Sequence, residues 1–163
     1  MVSEDLERAV RRLVDKDEIV DLVHRYSYLV DHRRYDEVAS LFTIDCVVDY
    51  GPVAEVLRGR DALRAMFGPS SESSGARVGL LATSHHNANV LMTFEGDDRA
   101  SVRTSVYAWH RASGDVTPQV WGYYYDVAVR TPEGWSLAER QLRVAGSESW
   151  ANDWLPLADD DSR

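Results

Sequence analysis

The spacing of apolar residues changes along this chain, and that change restricts the fold more than any other feature of the sequence. From Asp15 to Asp31 the apolar residues recur every three or four positions, which predicts a helix with one buried face. The stretches 35–42 and 59–67 predict two short helices. Beyond residue 80, apolar and polar residues alternate, which is typical of half-buried strands. The helices therefore come early in the chain and the long strands follow them.

Four long strands are predicted over residues 83–94, 100–111, 119–130 and 135–144. Short turns rich in Gly and acidic residues join them, which is typical of antiparallel hairpins. A shorter pair of strands, 46–50 and 53–57, flanks the turn Gly51-Pro52. We therefore expect an α+β fold in which a strongly curved antiparallel sheet packs against three N-terminal helices around one pocket.

The length of 163 residues is that of one domain. We expect a single domain over residues 1–163, with residues 146–163 as a C-terminal tail. Trp150 and Trp154 are expected to pack on the domain, whereas the acidic end of the tail is expected to fray. Gly68-Pro69 is expected to end the third helix, and residues 70–75 to form a loop.

The balance of charge argues against two classes of partner. The 18 basic and 27 acidic residues give a net charge of -9, which repels both nucleic acid phosphates and anionic lipid headgroups. No apolar run approaches the roughly 20 residues of a membrane helix, and the first residues lack the apolar segment of a signal peptide. We expect a cytoplasmic protein that binds neither nucleic acid nor a membrane.

Cofactor and metal motifs are missing from the sequence. The single cysteine, Cys46, excludes an internal disulfide and is expected to be a small buried strand residue. The histidines do not have the spacing of metal ligands, and His85 and His86 cannot point into one site from a regular strand. A glycine-rich phosphate loop is also missing. We therefore expect no metal and no cofactor.

The strand 83–94 carries an unusual row of polar residues. Alternation puts His85, Asn87 and Asn89 on one face and His86 on the other. A polar row in a central strand must be hydrogen-bonded or line a wet cavity, because unpaired burial costs about 1–3 kcal/mol per group. His110 lies on the next strand. The sequence therefore predicts a cavity that His85 and His110 both face, with Asn87 and Asn89 as polar lining.

Five short stretches carry a resemblance to a known family. They are RYSYLVD at 25–31, YDEVASLF at 35–42, VVDY at 47–50, TSHHN at 83–87 and EGW at 133–135. With these stretches the chain resembles the SnoaL-like branch of the nuclear transport factor 2-like superfamily. That branch includes scytalone dehydratase, hexachlorocyclohexane dehydrochlorinase and polyketide cyclases. The resemblance covers about residues 10 to 145.

The resemblance implies catalytic residues. In the dehydratase and dehydrochlorinase members, an aspartate at the end of the first helix orients a histidine that removes a proton from substrate; Asp31 and His85 match them. In scytalone dehydratase a second histidine and a tyrosine assist the leaving hydroxyl, and His110 and Tyr50 match those. We expect His110 to donate a hydrogen bond to that oxygen.

The chain also departs from the scytalone dehydratase pattern. Val30 stands where that enzyme has a tyrosine, and Asp126 and Ala128 stand where it has a serine and an asparagine. The resemblance therefore implies proton-transfer chemistry, and it does not imply scytalone itself as the substrate.

Further pocket residues follow less directly. The resemblance implies that Tyr124 and Asp126 point inward, and both are expected to bind substrate. Tyr26 is expected to bind substrate as well. Arg143 is expected to bind a substrate oxygen, with a surface salt bridge as the alternative. Simple alternation instead puts the opposite face of the strand in the core, namely Trp121, Tyr123, Tyr125, Val127 and Val129. Which face lines the pocket therefore stays open.

The outward face of the predicted sheet is strongly apolar. Its members are His86, Val90, Met92, Phe94, Tyr107 and Trp109. A monomer rarely exposes such a patch, so a homo-oligomer, either a dimer or a trimer, is expected.

Histidine chemistry agrees with the implied function. A neutral imidazole is available as a base near pH 7, and a carboxylate on its other nitrogen fixes the tautomer. We expect a cofactor-independent acid-base enzyme, first of all a dehydratase, which is a lyase, acting on a small hydroxylated polyketide-, terpenoid- or steroid-like carbonyl compound. Two alternatives stay open. One is an isomerase or cyclase that uses the same base, and the other is a non-catalytic assembly subunit such as the small subunit of a ring-hydroxylating dioxygenase.

Overall fold

The computed structural model describes residues 3–67, 80–114 and 116–150. The helices are α1 (Glu4–Asp31), α2 (Tyr35–Ser40) and α3 (Arg60–Phe67). The strands are β1 (Phe42–Asp49), β2 (Leu57–Arg58), β3 (Leu80–Phe94), β4 (Arg99–Ala112), β5 (Gln119–Thr131) and β6 (Gly134–Glu148). A short 3-10 helix spans Gly51–Val53. Helices packed against one sheet confirm the predicted α+β class.

The sheet has six strands in the order β2-β1-β6-β5-β4-β3. Neighbouring strands are antiparallel except for β1 and β6, which are parallel. The sheet is therefore mixed rather than wholly antiparallel. Short connections fix the directions of β3 to β6 relative to one another. No such connection joins β1 to β6, so the sequence carries no signal for the direction of that pair.

Helix α1 begins at Glu4 rather than at the predicted Asp15. The side chain of Ser3 accepts a hydrogen bond from the backbone of Leu6 at 3.2 Å, and acidic residues occupy the first turn, which stabilises a helix N-terminus. The apolar residues of this first part are Leu6, Val10, Leu13 and Val14, each at least half exposed. Because the prediction relied on a buried face, it missed this part. None of the described helices combines the length and apolarity needed to span a membrane.

The segment between β1 and α3 is less regular than predicted. A return strand was expected over residues 53–57, but a 3-10 helix follows β1 and only Leu57–Arg58 pairs with it. The Asp49 carboxylate accepts a hydrogen bond from the backbone of Gly51 at 2.8 Å, which favours a tight turn here. The turn leaves Tyr50 at the end of β1, buried in the core.

The four long strands are confirmed, but β3 contains a bulge that reverses its alternation. The register with β4 shifts between Ala88 and Leu91, and Asn89 has a left-handed backbone with φ of 49°. An extra residue in a bulge turns the following side chains to the opposite face. Beyond the bulge, the residues expected on the outward face pack against the core, namely Val90, Met92 and Phe94. The predicted orientation of this half of the strand is therefore wrong.

The core lies between α1 and the inner face of the sheet. Ile19 and Val23 of α1 and Leu137 of β6 are fully buried there, and Cys46 is buried as expected. This packing brings Asp31, the last residue of α1, beside the first half of β3. Residues 68–79, Asp115 and residues 151–163 lie outside the described residues, and with them the predicted helix stop, the loop 70–75 and most of the tail, including Trp154.

Candidate active site

A cavity lies between the C-terminal end of α1 and the inner face of β3 to β6. Its volume is about 110 Å³, which corresponds to roughly seven to eleven water molecules at about 10–15 Å³ each. Aromatic side chains form much of the wall: Tyr26, Tyr35, Tyr50, Phe67, Tyr124 and Trp150. His85 and His110 also line it, as predicted. The cavity thus offers two imidazoles among mainly apolar walls.

The predicted hydrogen bond between Asp31 and His85 is present. Asp31 Oδ1 lies 2.7 Å from His85 Nδ1, and Asp31 Oδ2 accepts from the backbone N–H of His85 at 2.8 Å. The hydroxyl of Thr83 donates to Asp31 Oδ1 at 2.8 Å. Because a carboxylate can only accept, the proton of a neutral His85 ring sits on Nδ1, and Nε2 keeps its lone pair.

The ionised form of Asp31 is favoured by its neighbours. Burial acts to raise the pKa of this carboxyl group, but hydrogen bonds from His85 and Thr83 outweigh it and hold the pKa below its usual value. The carboxylate and the ring are both largely shielded, with 19% and 9% of their side chains exposed. A charge on the His85 ring would therefore have a fixed counter-ion.

His110 lies where it was predicted, but in a different chemical state. Its Nδ1 is 3.0 Å from the carbonyl oxygen of Pro118, which can only accept, so Nδ1 carries the proton. Burial, with the nearby charge of His85, lowers the pKa of His110 to about 4. At neutral pH its Nε2 is consequently an acceptor. A donor role for His110 toward a leaving oxygen requires a protonated ring and stays a prediction.

The two histidine rings are neighbours in the cavity. Their centroids are 5.7 Å apart and the rings are nearly perpendicular, at 88°. Trp150 packs on the other side of His110, with the ring centroids 4.6 Å apart. Trp150 thus packs on the domain, as predicted for the first part of the tail.

Tyr26 and Tyr50 form a hydroxyl pair in the cavity wall. Their oxygens are 2.7 Å apart, and either hydroxyl can be the donor. Burial raises the pKa of both groups, that of Tyr50 well above its usual value. These hydroxyls therefore stay protonated, and one proton of the pair remains free to donate to a ligand oxygen. Tyr124 lies beside them, and burial raises its pKa as well.

Asp126 points inward, as the resemblance implied, but it does not line this cavity. It makes two hydrogen bonds to Arg140, at 2.8 and 2.7 Å, and both side chains are fully buried. The Arg140 guanidinium lies 3.9 Å from the Tyr26 ring centroid and 4.1 Å from that of Tyr124. Sequence reasoning missed Arg140, although its alternation with the core residues Leu142 and Val144 was a signal for an inward charge.

Three other predicted pocket residues lie elsewhere. The side-chain amide of Asn87 donates to the carbonyl of Val23 at 3.1 Å and to the hydroxyl of Ser27 at 2.7 Å, so it ties β3 to α1. Asn89 is exposed in the bulge. Arg143 alternates with inward-facing neighbours and lies on the opposite face of β6. None of the three lines the cavity.

Thr83 and Arg33 are two of the cavity-lining residues that were not predicted. Thr83 lies two positions before His85, on the same face of β3, and that spacing was the available signal. Arg33, in the turn after α1, donates to the carbonyls of Leu80 and Leu81 at 3.1 and 3.0 Å. Across residues 3–67, 80–114 and 116–150, no three His, Cys, Asp or Glu side chains are grouped so that they could hold a metal ion.

Solved structures share this fold over nearly the whole chain. A protein from Novosphingobium aromaticivorans, assigned provisionally as a scytalone dehydratase, is 28% identical with a TM-score of 0.82, covering 93% of this chain and 98% of that one. A hexachlorocyclohexane dehydrochlorinase from Novosphingobium barchaimii is 15% identical, with a TM-score of 0.75 and coverage of 93% and 99%. A nuclear transport factor 2-like protein with a cystatin-like fold, from N. aromaticivorans, is 22% identical, with a TM-score of 0.72 and coverage of 91% and 94%.

Comparison of sequences agrees with the fold. No curated protein matches the chain significantly. The family model of the SnoaL-like domain matches residues 11–141, which include Asp31, Tyr50, His85 and His110. The chain therefore belongs to the SnoaL-like family, within the nuclear transport factor 2-like superfamily.

Proposed function

We propose that this protein is a cofactor-independent dehydratase in which His85 is the general base. The observation that carries the proposal is the contact of 2.7 Å between Asp31 and His85 Nδ1 at the wall of the cavity. The substrate is a small hydroxylated carbonyl compound of polyketide-, terpenoid- or steroid-like character. Two solved structures of similar fold carry the names of elimination enzymes, a dehydratase and a dehydrochlorinase, which supports a lyase.

The proton transfer begins at the free nitrogen of His85. Nε2 takes a proton from the carbon next to the substrate carbonyl, and the C–H electron pair begins to form a C=C bond. Asp31 stabilises the imidazolium that results, as carboxylates do in other His-dependent enzymes. General-base catalysis of this kind contributes about 10²–10⁴ in rate.

The leaving oxygen also needs a proton. As the bond between carbon and the hydroxyl oxygen breaks, the His85 imidazolium returns its proton, and water leaves an α,β-unsaturated carbonyl product. His110 Nε2 accepts a hydrogen bond from the substrate hydroxyl and holds it for departure. The free proton of the Tyr26–Tyr50 pair donates to the carbonyl oxygen, where negative charge develops.

The cavity wall suits a compact substrate with an apolar body. Aromatic rings line the space, and its volume of about 110 Å³ fits a small organic molecule rather than a polymer. No carboxylate is among the cavity-lining side chains of the described residues. This disfavours a cationic substrate and suits one whose oxygens meet the histidines and tyrosines.

A non-catalytic assembly subunit is the alternative from another class. It needs no cavity lined by paired imidazoles, so the cavity favours the enzyme. An isomerase or cyclase with the same base differs only in the fate of the carbanion. Mass spectrometry separates these reactions, because a dehydratase product is lighter by one water and an isomerase product has unchanged mass.

The test is a screen of small hydroxylated carbonyl compounds for loss of water, followed by kinetics of two matched variants. His85→Gln removes the base and is expected to lower kcat by about 10²–10⁴ with KM little changed. His86→Gln is the control, because His86 is the next residue on the same strand and lies exposed on the opposite face. A His85→Gln protein that kept the wild-type rate would exclude His85 as the base.

A further inference from the structure

We propose that Thr83 is a positioning residue whose hydroxyl fixes the Asp31 carboxylate, so that His85 keeps its proton on Nδ1 and presents Nε2 to the cavity. The consequence for catalysis rests on the function proposed above. The tautomer of His85 does not, because it is a property of the free protein.

The hydrogen bonds around Asp31 carry the inference. The carboxylate accepts three: Thr83 Oγ1 at 2.8 Å and His85 Nδ1 at 2.7 Å, both on Oδ1, and His85 N at 2.8 Å on Oδ2. A carboxylate has about four lone-pair sites, so three donors leave it little freedom to rotate. Two of these donors come from His85 itself, and Thr83 is the independent third.

Strand geometry places Thr83 for this role. Residues two apart on a strand lie on the same face, so Thr83 and His85 approach the end of α1 together. A threonine hydroxyl has one proton, and Thr83 donates it in the hydrogen bond to Asp31 Oδ1. All three donors to the carboxylate therefore lie on β3, whereas Asp31 itself ends α1.

Packing alone does not require a threonine at this position. Valine has nearly the same shape and favours strands equally, so a purely structural site would accept it. Valine would leave a largely shielded carboxylate oxygen without one of its donors. The proton position on a histidine is set by the hydrogen bond that its ring nitrogen makes, so a less firmly held carboxylate allows the Nε2–H tautomer, which cannot act as a base.

Histidine ¹⁵N NMR of the free protein tests the proposal directly. In the wild type and in Thr83→Ser, which keeps the hydroxyl, the Nδ1–H tautomer of His85 is expected to dominate. In Thr83→Val, the Nε2–H signal of His85 is expected to increase. Thr93→Val is the matched control, because Thr93 lies on the same strand but is exposed. Thr83→Ala is the second variant should valine prevent folding.

Kinetics with the substrate found in the screen provide the second readout. Thr83→Val is expected to lower kcat about tenfold, with KM little changed. This is the low end of the effect expected when a residue that supports a functional side chain loses its hydrogen bond. Thr83→Ser is expected to restore kcat to within about twofold. An unchanged tautomer in both Thr83→Val and Thr83→Ala overturns the proposal, whatever their kcat. A shifted tautomer in a protein without dehydratase activity supports it and refutes only the proposed function.

Discussion

Two buried histidine rings face the cavity from neighbouring strands, yet their surroundings give them different chemistry. His85 has a carboxylate on Nδ1, which stabilises a charged ring. His110 has only the carbonyl of Pro118 there and is more deeply enclosed, which disfavours a charged ring. One histidine is therefore suited to take up a proton and the other to remain neutral.

The low pKa of His110 predicts a dependence of stability on pH. Between about pH 4 and pH 6.5 the unfolded chain binds a proton that the folded chain does not, so stability rises with pH in this window and is lost as the pH falls. Between pH 7.5 and pH 4.5 this amounts to about 2–3 kcal/mol. Urea unfolding at both pH values measures it in the wild type and in His110→Phe. The variant should lose less stability on acidification, and an equal loss would contradict the pKa assigned to His110.

The positions of the site residues were largely predictable, but their proton positions and ion-pair partners were not. Asp31, His85 and Tyr50 follow from the order of elements and the family resemblance. The proton position of His110 depends on the carbonyl of Pro118, the residue directly before β5, and no sequence pattern encodes this contact. The pairing of Asp126 with Arg140 depends on register between β5 and β6, and a carboxylate at that position looked equally suited to the pocket.

At the scale of elements, the bulge in β3 decides which side chains reach the core. The first half of the strand presents His85 to the cavity, and the second half packs Val90 and Met92 against the core. Without the extra residue, one of the two halves would face outward. Hairpin turns are visible in the sequence because Gly and Asp mark them. This bulge is marked only by Asn89, and an asparagine in a sequence can also indicate other kinds of local structure.

Substitutions at Asn89 test the role of the bulge. The left-handed backbone there favours Gly or Asn and costs a β-branched residue about 1–2 kcal/mol. Asn89→Gly is therefore expected to keep stability within about 0.5 kcal/mol, and Asn89→Val to lose about 1–2 kcal/mol, in urea unfolding. If the valine variant were as stable as the wild type, the bulge would not hold the backbone as described.

The ion pair between Asp126 and Arg140 joins β5 to β6 inside the core. Removing one partner leaves an uncompensated buried charge, which costs about 3–5 kcal/mol, whereas replacing both by apolar residues costs much less. Arg140→Met is therefore expected to be less stable than the double variant Arg140→Met with Asp126→Leu. Urea unfolding of the two single variants and the double variant measures this difference. A double variant as unstable as the sum of the single variants would show that the two charges do not compensate each other.

At the scale of the whole molecule, the unexplained feature is the apolar surface on the outer face of the sheet. Three of the residues predicted for it, Val90, Met92 and Phe94, belong to the core instead. The remaining surface still contains a row across three strands, because His86 pairs with Tyr107 and Tyr107 pairs with Trp121. Tyr107 is 37% and Trp121 40% exposed, which is unusual for rings at the centre of a sheet. The prediction of a homo-oligomer therefore now depends on this aromatic row.

Self-association through the aromatic row can be tested in solution. The chain has a mass of 18.4 kDa, and light scattering at micromolar concentration is expected to give a multiple of it. Tyr107→Glu adds a negative charge to the row in every copy of a protein whose net charge is already -9, so it should shift the mass toward that of the monomer while the circular dichroism spectrum is unchanged. Leu13→Glu, at an exposed position on α1, is the matched control and should leave the mass as it is.

A wild-type mass near that of one chain would contradict the prediction. A loss of association in Leu13→Glu but not in Tyr107→Glu would move the interface from the sheet to the first turns of α1, where Leu6, Val10 and Val14 are also exposed.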